Sequence, residues 1–136
     1  MTTVTDLQWK QIVVGGIAPH VISTGLLIIA IVAYTFLLAF GTGGDPDPGA
    51  LQQFNTVSGT QIFPVVTILL TVVAAGWVAR RVDPDTAMLH GVAVGTLAGL
   101  VGFAFGALDV MMFVRFVFTI GAGALGARLL PNVLGD

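Results

Sequence analysis

The sequence predicts an all-α integral membrane protein, a bundle of four transmembrane helices, and three observations lead to this fold class. Apolar residues make up 56% of the 136-residue chain and charged residues only 9%, and the mean hydropathy is +0.99. This composition leaves too little polar surface to keep a globular domain in solution. Four long apolar segments follow one another, and glycines recur at regular spacing within the third. Residues 1–136 are therefore expected to form a single transmembrane domain.

The first span is predicted at residues 21–40, which contain no charged residue. Twenty residues of α-helix rise about 30 Å, the thickness of the hydrocarbon core. Trp9 and Lys10 before this span are residue types that favour the membrane interface, and Pro19 stands at the junction. The preceding segment is expected either to extend the helix or to lie along the surface.

Residues 41–61 are predicted to form an exposed extracytoplasmic loop, because their glycines and prolines oppose regular structure and polar residues follow. The remaining spans are predicted at residues 62–79, 88–108 and 110–130. Asp85 or Thr86 is expected to cap the third span, and Pro131 to end the fourth. Only Asp109 separates the third and fourth spans, so the sequence predicts a tight antiparallel hairpin there.

Charge is distributed unevenly about these spans. Four of the five basic residues fall on one predicted side of the bundle: Lys10, Arg80, Arg81 and Arg128. The acidic loop residues of the other side are Asp45, Asp47 and Asp109. The positive-inside rule then predicts that both termini are cytoplasmic. The Gly, Ala, Val, Asp and Arg bias favours a prokaryotic plasma membrane.

A regular series of glycines in the third span indicates a helix-packing face. Its members are Gly91, Gly95, Gly99, Gly102 and Gly106. Residues four apart lie on one face of an α-helix, and without side chains there two backbones can approach closely enough to be held by van der Waals packing in lipid. This face suits contact with the fourth helix or with another copy of the chain.

The two predicted hairpins have similar sequence patterns. His20, Gly25 and Leu27 at the start of the first span match the spacing of the second histidine, His90, with Gly95 and Leu97 in the third. A tandem two-helix repeat about an axis along the membrane normal would produce this match. The alternative is that low-complexity apolar sequence aligns with itself.

The chain has two histidines, His20 and His90, and both are weak candidates for haem or metal ligands. Their predicted positions at the cytoplasmic ends of two spans suggest that they could face one another across the bundle, as in a bis-histidine haem site. His90 with Asp83 or Asp85 is a second, metal-binding alternative. The interpretation we favour is that each histidine is an interfacial polar residue with a hydrogen-bond partner, so no cofactor and no metal are expected.

Arg115 is the one formal charge well inside a predicted span, which makes it the foremost candidate for a solute or ion-pair site. It is expected either to pair with Asp109, Asp45 or Asp47, or to face a water-filled cavity that attracts an anionic solute or headgroup. Asp109 itself is expected to cap the fourth helix.

Several functions are excluded or disfavoured. The net charge is −2 without a basic block, which argues against nucleic-acid binding, and no catalytic motif is present, so an enzyme is not expected. The sequence favours a small non-catalytic membrane protein, an oligomeric or accessory structural subunit whose partners are the lipid bilayer and copies of itself or a larger membrane complex. The alternative is an oligomeric channel or transporter for a small, possibly anionic, solute.

Overall fold

A computed structural model describes residues 7–104 and 109–133, with side chains as far as Pro131. Over these residues the chain is helical throughout, apart from short turns. The α-helices are α1 (Trp9–Thr42), α2 (Pro48–Val57), α3 (Phe63–Ala79), α4 (Pro84–Phe103) and α5 (Val110–Val133). A π-helical turn, Ser58–Ile62, joins α2 to α3. Within the described part of the chain, four helical segments are long and apolar enough to cross a membrane, which confirms the predicted class.

Helix α1 is longer than the predicted first span. It begins at Trp9 and its 34 residues rise about 51 Å. The segment before the predicted span therefore extends the helix, and Pro19 lies inside it. Gly43 ends the helix in the left-handed conformation, with φ 74°, and its N–H donates to the carbonyl of Ala39.

The predicted loop over residues 41–61 is wrong for most of its length. Helix α2 begins at Pro48 because Asp47 caps it, accepting a hydrogen bond from the Gly49 amide at 2.9 Å. The helix then continues through the π-helical turn into α3. Tyr34 of α1 stacks on Phe54 of α2, with ring centroids 4.1 Å apart. Only residues 43–47 remain between the two helices.

Helices α4 and α5 also differ from the prediction at their ends. Asp83, rather than Asp85 or Thr86, caps α4 by accepting from the Asp85 amide at 3.0 Å, with Pro84 in the first turn. Residues 105–108, which include Gly106, lie outside the described part of the chain. The expectation that Pro131 ends the last helix is wrong, because α5 continues to Val133. Because Pro131 lies in the last turn of α5, its missing N–H removes only one intrahelical hydrogen bond.

The helices pack so that α3 and α4 contact each other and lie between α1 and α5. A small apolar core of Ile12, Ala75, Val78, Val82 and Val94 joins α1, α3 and α4 at one end of the bundle. This packing brings parts of all four apolar segments around one cleft.

Candidate functional site

The glycines of α4 lie against two different helices. A Cβ atom placed on Gly95 would lie 2.6 Å from the Thr119 carbonyl oxygen of α5, and one on Gly91 would lie 2.6 Å from the Gly123 carbonyl oxygen. Gly99 faces the Phe116 ring of α5. At Gly91 and Gly95 the two backbones therefore approach each other directly, and at Gly99 the missing side chain leaves room for the aromatic ring. This part of the glycine series therefore packs inside the chain.

Gly102 differs from the other described glycines of the series. A Cβ atom there would lie 3.7 Å from Nε2 of His20, so this glycine faces α1. Its lack of a side chain leaves room beside the imidazole.

His90 is fully buried and makes two hydrogen bonds to backbone. Its Nε2 accepts from the Gln8 amide at 2.9 Å. Its Nδ1 lies 2.9 Å from the Thr86 carbonyl oxygen. Since a carbonyl can only accept and the Gln8 amide can only donate, these two partners assign the proton to Nδ1. His90 thus ties the start of α1 to α4. With both ring nitrogens engaged, it is not positioned to bind a metal or haem iron.

His20 lies at a different level of the bundle. It is buried beside Gly102. Gln8, whose amide binds His90, precedes His20 by twelve residues, which corresponds to about 18 Å along α1. The two histidines are therefore not brought together, and the expectation that they face one another is wrong. Among the described residues, no three His, Cys, Asp or Glu side chains form a group that could hold a metal ion.

Arg115 binds the backbone of the π-helical turn rather than a carboxylate. Its Nη2 donates to the Thr60 carbonyl oxygen at 2.8 Å. In a continuous α-helix that carbonyl would accept from the amide of residue 64. Residue 64 is proline, which has no N–H, and its ring would clash with the same carbonyl. The guanidinium thus supplies the donor that Pro64 lacks.

Two of the three acidic residues expected to pair with Arg115, Asp109 and Asp47, serve as helix caps instead. Oδ1 of Asp109 accepts from the Met112 amide at 2.8 Å, as expected for the cap of α5. Asp47 caps α2 in the same way. Their charges lie at helix N-termini, where the positive end of the helix dipole stabilises them.

A cleft of about 100 Å³ lies between the four apolar segments beside Arg115. Its polar lining consists of His20, Thr67, Arg115 and Thr119, and its apolar lining includes Phe63 and Phe116. The hydroxyl of Thr119 donates to the Arg115 carbonyl at 2.7 Å. That of Thr67 lies 2.9 Å from both the Phe63 carbonyl oxygen and the Ser23 hydroxyl. The cleft is therefore a polar site inside an otherwise apolar bundle.

The charge of Arg115 marks it as a candidate in the sequence, whereas the π-helical turn and the cleft were not predicted. The signal that could have found them is Pro64, since a proline inside a long helix leaves the carbonyl four residues earlier without its usual donor. π-Helical turns of this kind are often found at functional sites.

The fold and site together describe a membrane protein built from four apolar helices, with one arginine at an internal polar cleft. In comparisons with protein-family models, with curated proteins and with solved structures, the chain has no match.

Proposed function

We propose that this protein is a non-catalytic structural subunit of a membrane assembly, and that it associates with further copies of itself through α1. The observation that carries the proposal is the lack of cover on this helix. Only 6% of the most apolar 18-residue window of α1 is buried within the chain, against 33% in each of the other three segments. The buried residues of α1 all lie between Ile12 and Ser23, so the bundle leaves the rest of this helix largely uncovered by protein.

The exposed side of α1 has the geometry of a helix-pairing seam. Exposed apolar residues recur at alternating steps of four and three: Ile22, Leu26, Ile29, Ala33, Phe36 and Phe40. Such spacing keeps one stripe facing a partner helix over several turns. Association in lipid depends on van der Waals packing between such surfaces. The opposite side, which includes Ser23 and Tyr34, packs against α2 and α3.

Association through α1, rather than through the glycines of α4, is also favoured because those glycines already contact another helix of the same chain. Gly91, Gly95 and Gly99 contact α5 of the same chain, so they are not available to a second copy without opening the bundle. Assembly through the surface that the chain leaves uncovered requires no such rearrangement.

Disulfide cross-linking tests this proposal directly, because the natural sequence contains no cysteine. Single substitutions Ile29→Cys and Phe36→Cys lie on the seam, and Ile31→Cys is the matched control on the side that faces α2 and α3. Oxidation in native membranes is expected to link the first two variants into dimers and to leave the control monomeric. Monomers for all three, or equal linking of all three, would contradict assembly through the seam.

The proposal includes an orientation, with both termini in the cytoplasm and the protein in a prokaryotic plasma membrane. It is supported by the basic residues near one end of the bundle, of which Arg81 stacks over the Trp77 ring at 4.0 Å. Asp45→Cys and Asp85→Cys are exposed positions at opposite ends. A membrane-impermeant thiol reagent added to intact cells should label only the first. Labelling of only the second would reverse the orientation.

The alternative function, an oligomeric channel or transporter for a small anion, is favoured by one observation. Arg115 lines an internal cleft, where a charge acts more strongly than in water. Liposomes containing the protein should then pass chloride, phosphate or small organic anions, and Arg115→Gln should abolish that flux. Liposomes that remain tight to all these solutes would remove this alternative.

A further inference from the structure

We propose that the cleft is a binding site for a tetrahedral oxyanion, of the phosphate type, with Arg115 as its charged ligand. The inference does not rest on assembly through α1, and binding requires no transport. Binding at this cleft is, however, the step that the channel alternative would need.

Arg115 retains hydrogen-bond donors after its bond to the π-helical turn. A guanidinium carries five N–H groups in a fixed fork. The bond to the Thr60 carbonyl uses Nη2 and fixes the side chain beside the cleft that it lines. The planar fork matches two oxygens of one oxyanion, a geometry that a halide cannot exploit. A preorganised arginine also loses less side-chain entropy on binding.

Two hydroxyl donors of the cleft can be redirected without breaking a backbone hydrogen bond of their helices. The hydroxyl of Thr119 donates to the Arg115 carbonyl, which is four residues earlier in the same helix. The backbone amide of residue 119 already serves that carbonyl in an α-helix. The Phe63 carbonyl is likewise served by the amide of residue 67, although turning the Thr67 hydroxyl gives up its contact with the Ser23 hydroxyl. Turning either hydroxyl toward a bound oxygen therefore leaves the helix bonds intact.

The size of the cleft suits a small ligand group. A volume of about 100 Å³ corresponds to about three water molecules at the liquid's roughly 30 Å³ each. Pockets for drug-sized ligands are roughly 300–1,000 Å³. The cleft therefore has room for one small charged group, either a free ion or the headgroup of a larger molecule.

Two sources provide this chemistry, a free inorganic oxyanion and the phosphate of a lipid headgroup. Phe63 and Phe116 line the same cleft and offer apolar contact beside the charged group, as an acyl chain would require. The experiment therefore has one arm for each source.

In the first arm, purified protein in mild detergent is titrated with inorganic phosphate at constant ionic strength against a chloride background, and its thermal unfolding is followed. In the second arm, native mass spectrometry counts bound phosphatidylglycerol as this lipid is titrated into the protein–detergent complex. Arg115→Gln and Thr119→Val alter the cleft. The matched controls are Arg81→Gln, at a guanidinium over Trp77 away from the cleft, and Thr96→Val, which loses the same intrahelical hydroxyl bond outside it.

We expect Arg115→Gln to weaken binding in the responding arm by about tenfold or more, as the loss of a hydrogen bond from a charged donor does. Thr119→Val should weaken it by about threefold or more, and both controls should remain within about twofold of the natural protein. Response to phosphate alone would identify a free ion, and response to phosphatidylglycerol alone would identify a headgroup.

Three outcomes would overturn the site: response in neither arm, equal binding by the natural protein and Arg115→Gln, or equal effects of Thr119→Val and Thr96→Val. The threonine pair keeps the test decisive if Arg115→Gln does not fold. Cross-linking at α1 is measured separately, so failure of the assembly proposal and failure of the oxyanion site are distinguishable.

Discussion

The bond between Arg115 and the Thr60 carbonyl leads to a prediction about the stability of the bundle. If the guanidinium replaces the amide that Pro64 lacks, its contribution should depend on whether residue 64 is proline. We therefore expect Arg115→Met to destabilise the natural protein more than it destabilises a P64A variant. In the P64A background the restored N–H can donate to the same carbonyl.

The expected magnitude follows from the geometry. A hydrogen bond from a charged donor contributes about 1.5–3 kcal/mol. Because Arg115 is only half-buried and the bond is exposed at the protein surface, we discount this range to about 1–2 kcal/mol. With the amide restored, the loss should fall to about 0.5 kcal/mol, so the coupling between the two positions is expected to be about 1 kcal/mol.

A double-mutant cycle measures this coupling. The free energy of unfolding is determined in mixed detergent micelles for the natural protein, the two single variants and the double variant. Pro84→Ala provides a matched control, since Pro84 lies in the first turn of α4, where no helical amide bond is lost. Its coupling with Arg115→Met should be close to zero.

Equal costs of Arg115→Met with and without the proline would refute the reasoning. Arg115 would then stabilise the protein through some contact other than its bond to the π-helical turn. Coupling of the same size with Pro84→Ala would refute it too, because it would reflect a general loss of stability.

Two further predictions concern helix contacts. Gly95→Ala should destabilise the protein by roughly 1–3 kcal/mol, since the new Cβ would meet the α5 backbone, whereas Gly121→Ala, which faces open space, should be neutral or stabilising by up to about 1 kcal/mol. Thermal unfolding in detergent compares them, and equal effects would argue against close packing of α4 on α5. His90→Phe removes the acceptor of the Gln8 amide and should cost roughly 1–3 kcal/mol. It should also speed amide exchange around Trp9, and unchanged exchange there would contradict the role of this histidine.

The spans could be predicted from the sequence because a long uncharged segment is sufficient to indicate a membrane helix. Helix starts were less predictable. Asp47 with Pro48, and Asp83 with Pro84, both form a cap followed by a proline in the first turn. Pro48 is one of the prolines on which the expectation of irregular structure over residues 41–61 depends. A proline ends a helix or begins one depending on the residues that follow it.

The candidate site could be predicted only in part. The charge of Arg115 identified it, but its partner depends on how α3 and α5 are aligned, which no periodicity specifies. The histidines illustrate the same limit. Their similar positions in two predicted spans suggested a common depth, whereas the early start of α1 at Trp9 moves His20 three turns away from the level of His90.

The length of α1 has a consequence for the surrounding lipid. Between Ile12 and Phe40 the helix contains no charged residue, and these 29 residues rise about 43 Å. A tilt of about 45° would be needed to fit them within a 30 Å hydrocarbon core, beyond the usual limit of roughly 40°. The outer turns of α1 must then leave the core, or the bilayer must thicken around the protein. Acyl-chain length thereby becomes a determinant of its stability, and a bilayer of long-chain lipids suits it better than a thin one.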